Sequence, residues 1–229
     1  MTQLVRQLDM LQTFLTIDQF KVMDYKAINS YSLPIELMME NAGLHLARMI
    51  TRHASPESLI LVGVGTGNNG GGGLVAARRL SGWGYRVNLD IPDPNLKKLA
   101  SVQLKRAISF GAVIKSIDNP DIFADAFFGF SQRIPLPEIF LQALNKPGIS
   151  NAFTISLDIP SGFDKNTMDS LFNPNCILTM AAPKSELLQS DLESDIFVAD
   201  IGIPRPLYND LGIEQPNFGK SGILKYPYK

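Results

Sequence analysis

Residues 59–80, "LILVGVGTGNNGGGGLVAARRL", constrain the fold more than any other part of the chain. The stretch opens on "LILVGVG", a short unbroken apolar run of the kind a strand adopts when both its faces are buried. Glycines end the run, and "GLVAARRLSGWG" then reads as a helix. A strand that feeds a helix through a tight turn is half of a β–α–β unit, and such units build parallel sheets with helices on both faces. The junction also carries chemistry. Free backbone N–H groups at a helix N-terminus, with the helix dipole behind them, favour an anion such as phosphate. Glycine lets the backbone approach that anion closely and adopt positive φ. Four successive glycines at 70–73 are costly in chain entropy, which argues for a purpose beyond turning.

The alternation continues through the chain. "YRVNLDI", "AVIKSI", "DIFADAFFG", "FTISLDIP", "NCILTMAAP" and "DIFVADIGIP" read as further strands, with helices at "NLKKLASVQLKRAISFG" and "PEIFLQALNK". Two helices precede them. Thr16 and Gln19 have capping-box spacing and open an amphipathic segment to about Ser30, with Phe20, Met23 and Ile28 at helical intervals. The second follows Pro34 and carries Leu37, Met38, Ala42, Leu46 and Met49 on one side. The expectation is one α/β domain over 1–229 with a mostly parallel sheet. Its core spans about 16–204, and a tail from 205 to 229, rich in Pro, Gly, Asn and Tyr, packs as irregular chain.

Composition excludes several classes of function. Net charge is −1 and no basic run interleaves with aromatics, so nothing favours nucleic acid. The apolar stretches are too short to span a bilayer. One cysteine, Cys176, forbids an intramolecular disulfide and suits a reducing compartment. With only His45 and His53 beside it, a Cys/His zinc site is not expected, and both histidines read as structural or surface groups. Residues 1–15 do not form a secretory signal. That leaves a cytoplasmic location, with a mitochondrial presequence as the alternative.

Candidate chemistry gathers at strand ends. Gly65, Gly67 and Gly70 satisfy G-x-G-x-x-G, and Asp90 ends the next strand where a ribose-binding acid belongs. Alone, that pattern supports an ordinary NAD(P) oxidoreductase, or a tight turn with no ligand. Asn68 and Asn69 change the reading, because their carbonyl oxygens suit a hard cation or a hydroxylated ligand as well as an anion. Asp125 falls near the end of "IFADAFFG", and Asp158 ends "TISLDIP" close to Ser161. Ligands of open parallel sheets collect outside the carboxyl ends of the strands, so these three segments are expected to share one crevice. Either aspartate taken singly is equally a helix cap or a turn residue. Lys184, in "MAAPKSE", reads alone as a surface lysine; beside Asp158 it would exchange protons with a tuned pKa.

In their order, "MDYKAINSYSLPIELMMENAG", "GNNGGGGLVAARRL", "DAFFGFS", "SLDIPSG", "APK" and "DIGIP" resemble the YjeF N-terminal domains, the NAD(P)HX epimerase family. The resemblance covers about 16–204, and "FGFS" is similar to the animal branch. It implies a Rossmann-like three-layer sandwich and epimerisation of the R and S forms of hydrated NADH or NADPH, a repair reaction. It further implies substrate contacts at Asn68, Asn69, Gly70, Gly71 and Gly72, at Gly129, Phe130, Ser131, Gln132 and Arg133, and at Asp158. Asp158 is the implied catalytic group, with Lys184 assisting. A potassium ion would be held by Asn69, Asp125 and Ser161. The resemblance also implies a homodimer formed through the N-terminal helices, and a separate protein supplying the dehydratase that many relatives carry as a second domain. One position departs from the family. Its loop reads GNNGGDG, and Gly72 stands where the aspartate belongs. The alternative reading is therefore a diverged, non-catalytic nucleotide-binding or dimerisation module.

Overall fold

The computed structural model of the chain describes residues 13–146 and 148–227. The N-terminal stretch read for targeting lies outside the described residues up to position 12, as do the last two residues of the tail.

Helix α1 (Ile17–Tyr31) begins as its sequence predicts. Thr16 Oγ1 accepts from the Gln19 N–H at 3.0 Å, and Gln19 Oε1 accepts from the Thr16 N–H at 2.8 Å. This reciprocal box satisfies two of the donors that a helix start leaves unpaired. Pro34 then precedes α2 (Ile35–Thr51). The remaining elements are β1 (Leu59–Val64), α3 (Asn68–Gly82), β2 (Arg86–Asp90), α4 (Lys98–Ser109), β3 (Val113–Ile114), β4 (Ile122–Ala126), α5 (Glu138–Leu144), β5 (Phe153–Leu157), β6 (Cys176–Met180), α6 (Ser185–Gln189), β7 (Asp195–Ala199), α7 (Arg205–Asp210) and β8 (Ile223–Lys225).

The eight strands form one sheet in the order β3-β2-β1-β4-β5-β6-β7-β8. All pairs are parallel except β7–β8. Alternation along the strands makes the layers. Ile60, Val62 and Val64 of β1 pack with Leu46, Leu74 and Ala107 from α2, α3 and α4. Leu61 points the other way and joins Phe123, Phe140 and Leu144 on the side of α5. Side chains of opposite parity go to opposite faces, and the result is a Rossmann-like α/β sandwich. Glu40 of α2 ties the helical layer together by accepting from Arg78 at 2.5 Å, Arg79 at 3.0 Å and Gln103 at 3.2 Å.

Three features differ from expectation. The helix after β1 starts at Asn68, so Gly70–Gly72 belong to its first turns and not to a loop. None of Gly65, Gly67 or Gly70–Gly73 has positive φ. Close packing explains them instead. A Cβ at Gly70 would meet the Gly65 carbonyl oxygen at 1.9 Å, one at Gly71 the Met39 side chain at 2.7 Å, and one at Gly73 the Ala126 Cβ at 2.6 Å. Second, "AVIKSI" yields only the two-residue β3 at the sheet edge. Third, the tail is only partly irregular, because it carries α7 and β8. Leu207 and Tyr208 of α7 are fully buried in a cluster with Phe20, Met23 and Ala27 of α1, and β8 covers the free edge of β7 antiparallel, with Leu224 opposite Val198. Pro at the start of α7 costs nothing, because that position needs no N–H.

Candidate active site

Strand order reverses between β1 and β4, and a cavity opens at the carboxyl ends of these strands and of β5. That is where ligands of open α/β sheets bind. The cavity holds about 560 Å³, within the range of small-molecule and cofactor sites. Thr66, Gly67, Asn68, Asn69 and Gly72 line it from the start of α3, and Gly129–Arg133 line it from the segment after β4. Asp158 lines it from the end of β5, and Phe20 and Asp24 of α1 close another side. Gly70 and Gly71, expected to contact a ligand, do not line it; they are buried in the helix packing described above. Gly72 does line it, and a Cβ there would meet only Leu157 Cδ2, at 2.9 Å.

Asp158 is 1% exposed and takes the left-handed backbone conformation, φ +73°. A non-glycine residue in that region is uncommon, though aspartate tolerates it better than most. Its N–H donates to the Leu178 carbonyl at 2.8 Å, and its Oδ2 accepts from the Phe130 N–H at 2.7 Å. Among the described residues Oδ1 has no hydrogen-bond partner. Burial pushes the Asp158 carboxyl above the usual carboxylate range, against the opposing pull of Lys184 and the Phe130 N–H.

Lys184, read alone as a surface lysine, is fully buried. Its ammonium donates to the carbonyls of Met180 at 2.5 Å and Ala182 at 3.0 Å. It also faces the Phe20 ring at 3.7 Å and stands 3.9 Å from Asp158 Oδ1. Burial lowers its pKa to about 8, against the raising effect of Asp158 and Glu186. Lys184 does not line the cavity, so it reaches a ligand only through Asp158.

Asp125 and Ser161 lie behind the cavity wall, both fully buried. The β4–β5 register sets Asp125 opposite Ser156, and their side chains share a face. The Asp125 carboxylate accepts from Ser161 Oγ at 2.6 Å, the Ser161 N–H at 2.9 Å, Ser156 Oγ at 2.8 Å and the Phe127 N–H at 3.2 Å. Burial raises its pKa in spite of these donors. Asn69 Nδ2 donates to the carbonyls of Phe128 at 2.6 Å and Leu157 at 3.1 Å, while its Oδ1 is buried without a partner among the described residues. Asn69, Asp125 and Ser161 offer only oxygen, and one of these oxygens is an unsatisfied buried atom. That donor chemistry fits a hard cation of low charge.

Asp90 is not available for a ribose. Lys146 donates to its carboxylate, and it does not line the cavity, which removes the support for a dehydrogenase. His45 is buried beneath the tail and His53 stacks on Phe153 at 3.9 Å; neither lines the cavity. Sequence reasoning missed Asp24 and Lys97, both of which line it. The signal for Asp24 was its spacing of four from Phe20, which sets both on one face of α1.

The family model described as "YjeF-related protein N-terminus" matches residues 35–186. The chain is 32% identical over 216 residues to the NAD(P)H-hydrate epimerase of Anopheles darlingi, covering 88% of this chain and 93% of that protein. It is 30% identical over 216 residues to the bifunctional NAD(P)H-hydrate repair enzyme Nnr of Thermofilum pendens, covering 85% of this chain and 41% of the longer one. Its fold superposes on the crystal structure of the yeast protein ynu0 with a TM-score of 0.81 at 22% identity, over 93% of this chain and all of the yeast chain.

Proposed function

The chain belongs to the YjeF-related protein N-terminus family, and on that premise we propose that it epimerises the R and S forms of hydrated NADH or NADPH. The observation that carries the reading is Asp158, a buried carboxylate on the cavity wall with one oxygen unpartnered and a buried lysine behind it. Functional sites are where such burial and charge pairing tune pKa values.

Hydration adds a hydroxyl to a ring carbon bonded to the ring nitrogen. Asp158, protonated, gives its proton to that hydroxyl as the C–O bond breaks. Water leaves, and the nitrogen lone pair forms a C=N bond that makes the carbon planar. Water then adds to the opposite face and a proton returns to the protein. No electrons leave the substrate, so no oxidant is needed. Lys184 holds Asp158 from behind and tunes its proton affinity. The N–H groups at the start of α3 favour the substrate's phosphates. Arg133 and Lys97 on the cavity wall supply positive charge. Asn68, Asn69, Gly72 and Gly129–Gln132 would complete the contacts.

Asn69, Asp125 and Ser161 would hold potassium, which supplies positive charge against the buried Asp125 carboxylate. Among the described residues no helix is long and apolar enough to cross a membrane. The buried free thiol of Cys176 supports a reducing compartment, the cytoplasm or the mitochondrial interior. We read the chain as one domain that pairs with a second copy through its N-terminal helices, where Val22, Tyr25, Tyr31 and Leu37 are exposed. The bifunctional NAD(P)H-hydrate repair enzyme among the relatives supports a functional partnership with a dehydratase activity.

The test is the interconversion of purified R- and S-NADHX, followed by chromatography at fixed pH and potassium. Acceleration above the unaided rate, lost in Asp158→Asn, is expected. Asparagine tolerates the left-handed backbone and still accepts from Phe130, so the variant should fold. An unaccelerated reaction, or an Asp158→Asn variant as fast as the parent, would overturn the proposal.

A further inference from the structure

The epimerase reading leaves one group on the cavity wall unexplained. The Asp24 side chain makes no hydrogen bond or ion pair with any described residue, although it is half-buried. An unpartnered, partly desolvated carboxylate costs free energy unless a ligand or a proton satisfies it.

Its position is held firmly. The chain just before α1 bonds to the segment carrying Lys184: the Leu15 N–H donates to the Pro183 carbonyl at 2.9 Å and the Ser185 N–H to the Leu15 carbonyl at 2.8 Å. The Ile17 N–H donates to the Glu186 carboxylate at 3.0 Å. One turn before Asp24, Phe20 takes the Lys184 ammonium on its ring and packs edge-on against Phe130, 5.2 Å between centroids. Phe130 is the residue whose N–H binds Asp158. Asp24 and Asp158 are therefore fixed relative to each other through two side chains, and both face the same cavity.

We propose that Asp24 is the second acid–base group of the epimerisation, working on the face of the substrate carbon opposite Asp158. This rests on the epimerase reading above. One carboxyl gives its proton to the departing hydroxyl as the C–O bond breaks. The other carboxylate takes a proton from water as the new C–O bond forms on the opposite face. One proton is given and one taken, and the two carboxyls exchange protonation states. The reverse reaction runs the same steps from the exchanged state. Inversion at one carbon needs proton handling on both of its faces, and a single carboxylate serves one. Two carboxyl groups facing one cavity also disfavour joint ionisation, so one of them tends to carry the proton. In keeping with this, burial first and the Asp158 charge second hold the Asp24 carboxyl above its ordinary range.

The experiment compares the full chain with Asp24→Asn, Asp24→Ser and Asp24→Glu. Interconversion of R- and S-NADHX gives kcat, and the fluorescence of NADH, a non-hydrated probe, gives binding. A positioned acid or base contributes about 100-fold or more, so kcat should fall by about that factor in Asp24→Asn and Asp24→Ser. NADH binding should stay within about threefold of the parent, since a group acting only in the transition state leaves ground-state binding alone. Asp24→Glu should recover part of the rate. A kcat in either neutral variant within about threefold of the parent would overturn the assignment, as would a loss of NADH binding that accounts for the whole effect. A parent chain that fails to accelerate the reaction removes the epimerase reading, and this inference with it. An active parent with unaffected variants removes the inference alone.

Discussion

Lys184 Nζ stands 3.9 Å from Asp158 Oδ1, and neither side chain is open to solvent. A buried pair of this kind contributes little net stability, because desolvation offsets the attraction, but removing one partner leaves the other charge exposed to the full cost. Lys184 feels the cost as a pKa lowered to about 8 from an ordinary 10.5. The unfolded chain therefore binds this proton more tightly than the folded one, and stability should rise with pH between those two values. Below about 8 the full penalty is present. Thermal melts of the parent and Lys184→Met from pH 7.5 to 10, a window about the pKa, should show the parent gaining on the variant as pH rises. A difference that stays flat with pH would remove this account of Lys184.

The glycines at the start of α3 make a second prediction, about stability. Gly70 lies so close to the Gly65 carbonyl that a Cβ would stand 1.9 Å from its oxygen, and backbone cannot yield as a flexible side chain does. Gly70→Ala should cost about 2–4 kcal/mol, despite alanine's higher helix propensity. For a chain of this size that lowers the melting temperature by about 5–12 °C. Gly67→Ala is the control. A Cβ at Gly67 meets nothing within 4 Å, and its φ of −100° suits any residue. A Gly70→Ala melt equal to that of Gly67→Ala would contradict the packing argument.

The same helix start marks where reading the sequence succeeded and where it stopped. β1, β4, β5 and β6 were legible because strands buried on both faces are unbroken apolar runs. The convergence of Asn69 and Asp158 on one cavity followed from strand-end chemistry alone, whereas Asp125 and Ser161, expected in the same crevice, lie behind its wall. In the sequence the helix reads from Gly73, with Gly70–Gly72 left in a loop, because glycine opposes a helix locally. Tertiary contacts with Met39 and Ala126 decide otherwise, and these are invisible in the local pattern. β8 has three residues and exists only as a partner for β7. Lys184 reads as a surface lysine until α1, from the other end of the chain, closes over it. Asp24 was hidden because an acid on an amphipathic helix usually faces water, and only the docking of Phe20 turns it to the cavity.

Potassium makes a third prediction. Asn69 Oδ1 is a buried acceptor without a partner among the described residues, and Asn69 connects to the Asp125–Ser161 cluster through Phe128, whose carbonyl accepts from Asn69 and whose N–H donates to Ser161 Oγ. A ligand that binds only the folded chain raises its stability by mass action. Exchanging potassium for tetramethylammonium at constant ionic strength should therefore lower both the melting temperature and the rate of interconversion. In Asn69→Ala the two salts should give the same melt. If the parent melts and turns over identically in both salts, the cation assignment fails.

Gly72 bears on activity most directly, since it lines the cavity at the position where the resemblance to the family implies an aspartate. Gly72→Asp asks for little space, because its Cβ meets only the end of the Leu157 side chain, at 2.9 Å. Leu157 must shift its Cδ2 by several tenths of an ångström, a small movement at the end of a flexible side chain. Stability should therefore change by less than about 1 kcal/mol. The added carboxylate brings an acceptor for a substrate hydroxyl, and pairing that donor is worth about 1–3 kcal/mol, or roughly ten- to a hundredfold in kcat/KM. It also adds a third carboxyl to a cavity wall that already carries Asp24 and Asp158, which pushes both of these further above their ordinary range. The variant should accordingly gain kcat/KM and hold a protonated carboxyl to higher pH. A variant that folds as well as the parent yet gains nothing would show that this cavity has dispensed with the family's aspartate, and that its chemistry rests on the residues it kept.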